Sequence, residues 1–256
     1  MRVLWRAVGI VSAVCTVVLL FGFGYAVRTV MYPQGGNLES VADAPKPPDR
    51  QLERLNIVAI GDSLTAGTGD ETGKGYVTGM KELLDERLDV PVYVLGNFAQ
   101  NGYTTSQVLA EIESRKGIRE SIGQADVIVM TAGGNDLFRL GDEVDLEAIR
   151  DRFPDALTNI REILVKIKEI NNNAKVYYIG LYNPFIELPQ FKEASLTVQD
   201  WNTEVFRLAE RMEGVTFVPT FDLFENGVSR FLSSDDYHPN GEGYARIAQR
   251  LAMLLE

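Results

Sequence analysis

The chain has 256 residues, a net charge of −11, one cysteine and one histidine. That length suits one domain with an appendage, or at most two small domains, and 45% hydrophobic with 24% charged residues is ordinary for a protein that buries a sizeable core. Cys15 alone excludes an internal disulfide and a cysteine-based metal site, and His238 alone excludes a zinc site built on several histidines.

Charge is unevenly placed. Residues 1–54 carry about +2, leaving about −13 on the rest, and so acidic a body argues against nucleic acid as a partner because phosphates are repelled.

Between Arg6 and Arg28 lie 21 uncharged residues, AVGIVSAVCTVVLLFGFGYAV. As a helix they span roughly 30 Å, the hydrocarbon thickness of a bilayer. A secretory signal core is shorter, about 7–15 residues, and ends in a small-x-small cleavage site. The exit Tyr25-Ala26-Val27-Arg28 matches that poorly, and Cys15, preceded by Val14 in mid-span, does not fit a lipoprotein cysteine. Residues 1–32 are therefore expected to be an uncleaved membrane anchor, with a cleaved signal and a secreted product as the alternative. Arg2 and Arg6 set the N-terminus inside by the positive-inside rule, which puts the remaining chain outside the cytoplasm. Residues 33–54, PQGGNLESVADAPKPPDRQLER, are rich in Pro, Gly and charge and read as a solvated tether.

From residue 55 to 256 short apolar runs alternate with amphipathic stretches. The runs fall at 56–60, 92–95, 127–131, 176–180 and 215–218. Between them, 75–88 places Val77, Met80, Leu84 and Leu88 on one side, and 104–114 has a Thr-rich start and a 3–4 residue apolar spacing. Residues 157–170 place Leu157, Ile160, Leu164, Ile167 and Ile170 on one stripe, and helical patterns at 195–212 and 241–255 complete the set. The acidic GDEVDLEAIRD, 141–151, lacks EF-hand spacing and reads as a solvated loop leading into a helix. Continuous apolar strands alternating with amphipathic helices predict a parallel sheet covered on both faces, a three-layer α/β domain. In such a sheet ligands bind at the carboxyl ends of the strands.

Four segments gather at that edge. Strand one ends in Gly61-Asp62-Ser63-Leu64. Strand two is followed by GNFAQNGYTT with Gly102, and strand three by AGGND with Asn135. The last helix is preceded by SSDDYHPNGEGY with Asp235 and His238. Singly, each has a bland reading: a helix cap, an Asn-Gly turn, a polar loop, a helix start. Together they supply the parts for acyl transfer by a serine. The Ser63 hydroxyl needs a base to take its proton, and the one imidazole in the chain belongs to His238. Asp235, three positions earlier, can curl back to hold the ring's tautomer, whereas the side chain of Asp236 tends to point away. The Ser63 and Gly102 backbone N–H groups and the Asn135 amide can donate to a developing oxyanion. No metal or organic cofactor is required.

Two rival motifs do not fit this sequence. GDSLT carries Thr65 where the G-x-S-x-G elbow needs its second glycine. GTGDETGKGY has Gly69 one residue too close to Gly73, and Gly75 where a P-loop needs Ser or Thr.

In this order GDSLTAG, NFAQNGYTT, GGND and DDYHPN resemble the four sequence blocks of the SGNH (GDSL-type) esterases and lipases, over roughly residues 55–256. The second block departs from the pattern, with Ala99 in place of its usual leading glycine. The resemblance implies a flavodoxin-like α/β/α fold with five parallel strands, Ser63 as nucleophile, Gly102 and Asn135 in the oxyanion hole, and an Asp235–His238 pair. With its anchor and the YNPF at 182–185, the chain is similar to extracytoplasmic members from Gram-positive bacteria.

The expected activity is hydrolysis of small-molecule or lipid carboxylic esters through an acyl-enzyme on Ser63. The alternatives are an O-acetylesterase or acyltransferase acting on cell-wall glycan, and a binding module that keeps the fold without turnover. A binder has no need of all five residues. Leu137, Phe138, Tyr182, Phe185, Ile186 and Leu188, from loops 136–146 and 182–196, are candidates to line the acyl pocket.

Overall fold

The structure is a computed structural model that describes residues 2–31, 53–138, 145–188 and 191–256. It divides into two units, Met1–Gln51 and Leu52–Glu256. In the first, Arg2–Met31 forms one helix, α1. Among the described residues no helix is long and apolar enough to cross a membrane, so the anchor expected over 1–32 rests on sequence alone. Nearly all of the tether expected at 33–54 lies outside the described residues.

The second unit is built on five parallel strands: β1 (Leu55–Gly61), β2 (Val92–Asn97), β3 (Val127–Thr131), β4 (Lys175–Ile179) and β5 (Val215–Val218). Their spatial order is β2-β1-β3-β4-β5, the flavodoxin-like arrangement in which the chain reverses direction beside β1. Strands β1, β3 and β4 were legible as continuous apolar runs because both of their faces are covered, whereas edge strand β2 packs Val92 and Val94 on one face and leaves Tyr93 and Leu95 exposed. Alternate residues serve opposite faces. Val58, Ile60, Ile128, Met130, Val176 and Tyr178 enter one core, while Ile57, Ala59, Val127, Val129, Tyr177 and Ile179 enter the other.

The first core is closed by α4 (Thr105–Ser114), α5 (Lys116–Gln124), α7 (Leu146–Ile170) and α8 (Lys192–Ala209); the second by α3 (Gly75–Arg87) and α10 (Gly241–Leu255). Three short helical turns stand at strand ends: α2 (Ser63–Ala66) after β1, α6 (Gly134–Leu137) after β3, and α9 (Phe221–Phe224) after β5.

Of the acidic stretch read as a solvated loop leading into a helix, 141–144 lies outside the described residues, and the reading is corrected over 146–151. Helix α7 already begins at Leu146, capped by Asp145, whose Oδ1 accepts from the N–H groups of Glu147 at 3.0 Å and Ala148 at 3.1 Å. Ile149 is buried against the core, and Pro154 sits within the helix despite removing one backbone donor. Burial of Ile149 and Ala156 holds the first turns, which the polar sequence concealed. Helix α5 was not foreseen. Nine residues with Ile118 and Ile122 as its two buried anchors leave too short a pattern to stand out from a loop.

Candidate active site

Strand β1 ends at Gly61 (φ +141), where a Cβ would lie 2.1 Å from the Thr131 carbonyl oxygen, so only glycine lets β1 and β3 close up at this point. The chain then turns directly into α2. Asp62 caps that turn, its Oδ1 accepting from the Leu64 N–H at 3.1 Å and from the Thr131 hydroxyl at 2.6 Å. Thr65 Oγ1 lies 2.8 Å from Thr131 Oγ1 and 2.6 Å from the Tyr76 hydroxyl. This buried network fastens the Ser63 turn to the end of β3. Burial pushes the Asp62 carboxyl above its ordinary value, against the bonds from Thr131 and Leu64 that pull it down.

The opposite wall is the segment before α10. Leu232 and Pro239 form an antiparallel bridge, and Ser233 N–H donates to the His238 carbonyl at 2.7 Å. Asn240 closes the base of this loop, its Nδ2 donating to the carbonyls of Arg230 at 2.8 Å and Leu232 at 3.0 Å while its Oδ1 caps α10 at Gly243. Inside the loop Asp235 Oδ1 accepts from the Ser233 hydroxyl and from the N–H groups of Tyr237 and His238. Its Oδ2 lies 2.6 Å from His238 Nδ1. Asp236, next to it, adopts φ 54, the one positive φ of a non-glycine residue among the described residues. That local kink lets Asp235 face the ring. The buried Tyr182 hydroxyl donates to the Tyr237 carbonyl and ties the loop to the segment after β4.

His238 Nε2 in turn lies 2.8 Å from Ser63 Oγ, and both side chains are buried. The structure therefore brings Ser63, His238 and Asp235 into one hydrogen-bonded chain. Partial burial works to raise the Asp235 carboxyl, but the bonds from the His238 ring and N–H, from Ser233 and from Tyr237 outweigh it and hold the group well below the usual carboxylate range.

Asn135 lies on α6, in the same cleft as Ser63. The turn leading to it is set by Gly133 (φ +108), where a Cβ would meet the Trp201 ring at 2.2 Å. Trp201 Nε1 donates to the Tyr178 hydroxyl at 3.1 Å, and that hydroxyl donates to the Ala132 carbonyl. Asn135 Nδ2 donates to the Tyr103 carbonyl at 2.9 Å. Gly102 (φ +76) precedes Tyr103 in a turn anchored to β1 by the bond from Gln100 N–H to the Gly61 carbonyl, 3.0 Å. Gly102 is thus held beside Asn135, although it is not among the residues lining the cleft.

Asp62, Ser63, Asn135, Phe138, Leu181, Pro184, Val198 and Tyr237 are among the lining residues. The cavity is about 30 Å³, room for roughly two water-sized molecules. Of the residues expected to line it, Phe138 and Tyr182 do so. Leu137 is core, Phe185 packs on Phe138 at 5.0 Å between ring centroids, Ile186 packs on the opposite core, and Leu188 is 40% exposed. Among the described residues no cluster of His, Cys, Asp or Glu is arranged to hold a metal ion.

Sequence reasoning missed the structural roles of Asp136 and Gly69, and it placed Tyr182 at the pocket without foreseeing its bond to the Tyr237 carbonyl. Asp136, also on α6, accepts from the N–H and hydroxyl of Thr105. Gly69 packs against the backbone and Cβ of the His238 loop. Each acts on a partner far along the chain, which no local pattern announces.

A hydroxyl hydrogen-bonded to an imidazole, beside an amide donor at the carboxyl edge of a parallel sheet, is equipped for attack on an acyl carbon. Fold, site and relatives define the protein as a carboxylic ester hydrolase. The chain belongs to the GDSL-like lipase/acylhydrolase family, whose sequence pattern matches residues 59–246. It is 32% identical over 206 residues to the uncharacterized protein YpmR of Bacillus subtilis, covering 78% of this chain and 80% of that one. It is 30% identical over 206 residues to the spore germination lipase LipC of Bacillus licheniformis, covering 77% of this chain and 94% of that one. Among solved structures, the lipase Lip_vut3 from a goat rumen metagenome superposes with a TM-score of 0.69 at 30% identity, covering 78% of this chain and 96% of that one. The acetylxylan esterase Axe2 of Geobacillus stearothermophilus, at 21% identity, TM-score 0.60 and coverage of 78% and 93%, shares the fold.

Proposed function

We propose that the protein is a serine esterase that works through an acyl-enzyme on Ser63, and that residues 1–32 anchor it in a membrane with its body outside the cytoplasm. The observation that carries the catalytic reading is the continuous chain from Ser63 Oγ through both ring nitrogens of His238 to Asp235, with links of 2.8 and 2.6 Å. His238 Nε2 takes the hydroxyl proton as Oγ attacks the acyl carbon. The carbonyl π electrons move onto oxygen, where the Ser63 and Gly102 N–H groups and the Asn135 amide donate. Collapse expels the alcohol, which leaves with the proton from Nε2. Water, deprotonated by the same nitrogen, then releases the acid and restores Ser63. Asp235, already ionised, offsets the imidazolium charge at each stage.

A panel of p-nitrophenyl esters from acetyl to palmitoyl, assayed on the full chain in detergent with Ser63→Ala as control, tests this reading. Hydrolysis that survives in Ser63→Ala overturns it. The anchor reading rests on the 21 uncharged residues between Arg6 and Arg28. It expects the full chain to stay with membranes through a carbonate wash, and chain lacking residues 1–32 to be released.

A second reading, hydrolysis or transfer of O-acetyl groups on cell-wall glycan, is favoured by the narrow cavity beside Ser63. Drug-sized ligands fill pockets of about 300 Å³ or more, whereas an acetyl group needs only a small one. Acetylated glycan assayed beside the acyl panel separates the two.

A further inference from the structure

The segment carrying Gly102 and the turn carrying Asn135 belong to different strand ends, yet both must aim donors at one oxygen atom. Two links join them. One is the bond from the Asn135 amide itself to the Tyr103 carbonyl, 2.9 Å. The other comes from the next residue. Asp136 Oδ2 accepts from the Thr105 N–H at 2.9 Å and Oδ1 from the Thr105 hydroxyl at 2.7 Å. Thr105 opens helix α4 two residues after Tyr103, so the carboxylate grips a free helix N–H, where negative charge is favoured. Asn159 on α7 donates to the Thr105 hydroxyl at 3.1 Å, which leaves that hydroxyl proton directed at Asp136.

Thr105 is wholly buried and Asp136 nearly so. An apolar pair of similar volume would fill this space without desolvating a carboxylate, which burial here pushes above its ordinary value. What an apolar pair would lack is direction. Two charge-assisted bonds from one planar group fix the distance and the angle between the two segments.

We infer that Asp136, through its two-point grip on Thr105, is the positioning residue of the oxyanion hole, holding the Asn135 amide and the Gly102 N–H at the spacing that the tetrahedral intermediate requires. This rests on the proposed role of Ser63 as nucleophile. Asp136 touches no reacting atom. Its loss leaves substrate entry intact and loosens a geometry in which a displacement of about 1 Å costs on the order of 10²-fold in rate.

The test uses the full chain with p-nitrophenyl acetate, and expresses kcat per site titrated with a fluorophosphonate so that unfolded molecules do not count. In Asp136→Asn, kcat is expected to fall roughly 10- to 100-fold with KM within about two-fold. Affinity for an alkylboronic acid, whose adduct with the serine hydroxyl places a negative oxygen in the same hole, is expected to fall by a similar factor. Thr105→Val, which keeps the N–H bond, should lose less, and Thr105→Ser should restore wild-type kcat. Unchanged kcat per site and unchanged boronate affinity in Asp136→Asn overturn the inference, as does a rise in KM alone. Should Asp136→Asn not fold, Thr105→Val decides by the same two measures. Ser63→Ala run in parallel keeps the two ideas apart: hydrolysis that survives there sinks the nucleophile, whereas a Ser63-dependent enzyme indifferent to Asp136 sinks only the brace.

Discussion

His238 Nε2 stands 2.8 Å from Ser63 Oγ although 175 positions separate the two residues. The serine is fixed by the first strand and the imidazole by the loop before the last helix, and several side chains outside the reacting group keep that distance. Their contributions can be measured one at a time.

Asp235 orients the ring through Oδ2 and its own loop through Oδ1. Asp235→Asn can keep the loop bonds but presents an amide N–H to the ring, which favours the wrong tautomer. The expected loss in kcat is on the order of 10³- to 10⁴-fold, read by steady-state kinetics.

The pH dependence of stability at Asp235 has a definite sign. Its carboxyl is depressed in the fold below the unfolded value of about 3.9, so the stability it contributes is present above that pH and is lost as pH falls through the folded value. The difference in unfolding free energy between wild type and Asp235→Asn should stay level from neutral pH to about pH 5 and shrink below about pH 4. Denaturant titrations at several pH values would show this; a difference that widens with acid contradicts it.

Asp62 has the opposite sign. Burial raises its carboxyl above the unfolded value, so its ionisation weighs against folding as pH rises through the folded value. An amide at this position can still accept from Leu64 and Thr131 through its oxygen. Asp62→Asn is therefore expected to match or exceed wild type in thermal stability at pH 7, with any gain disappearing below about pH 4.

Gly69 adopts φ +91, and a Cβ there would lie 2.8 Å from both the His238 Cβ and the Pro239 carbonyl oxygen. Gly69→Ala must push the His238 loop away from Ser63 or strain the backbone. A fall in kcat of roughly 10²-fold is expected, exceeding any change in KM.

Tyr182→Phe keeps the ring stacked on Phe224, whose centroid is 4.4 Å away, and removes only the donor to the Tyr237 carbonyl. Leaving that acceptor unpaired costs about 1–3 kcal/mol. At about 2–4 °C per kcal/mol for a domain of this size, calorimetry should record a Tm lower by several degrees.

The sequence disclosed what repeats or stands at a boundary. Apolar runs marked all five strands, the central ones because they are buried on both faces and edge strand β2 although only one of its faces is covered, and stripes such as Val77, Met80 and Leu84 marked α3. Ser63, Asn135, Asp235 and His238 were readable because each stands where an element begins or ends. Hidden were features made by tertiary pairing. The early turns of α7 are polar outside and held by Ile149 within, and Asp136 meets Thr105 across 31 positions. Tyr182 meets Tyr237 across 55. A hydroxyl or carboxylate whose partner is that remote has no local signature.

The Asp-His loop is stitched at its base by Asn240, the cap of helix α10. Assembly of the Ser63–His238–Asp235 hydrogen-bonded chain thus awaits a helix that follows all five strands, so a chain cut before α10 would hold a complete sheet without that connection. On the proposed mechanism, turnover then doubles as a report on whether α10 is in place, independent of whether the sheet has formed.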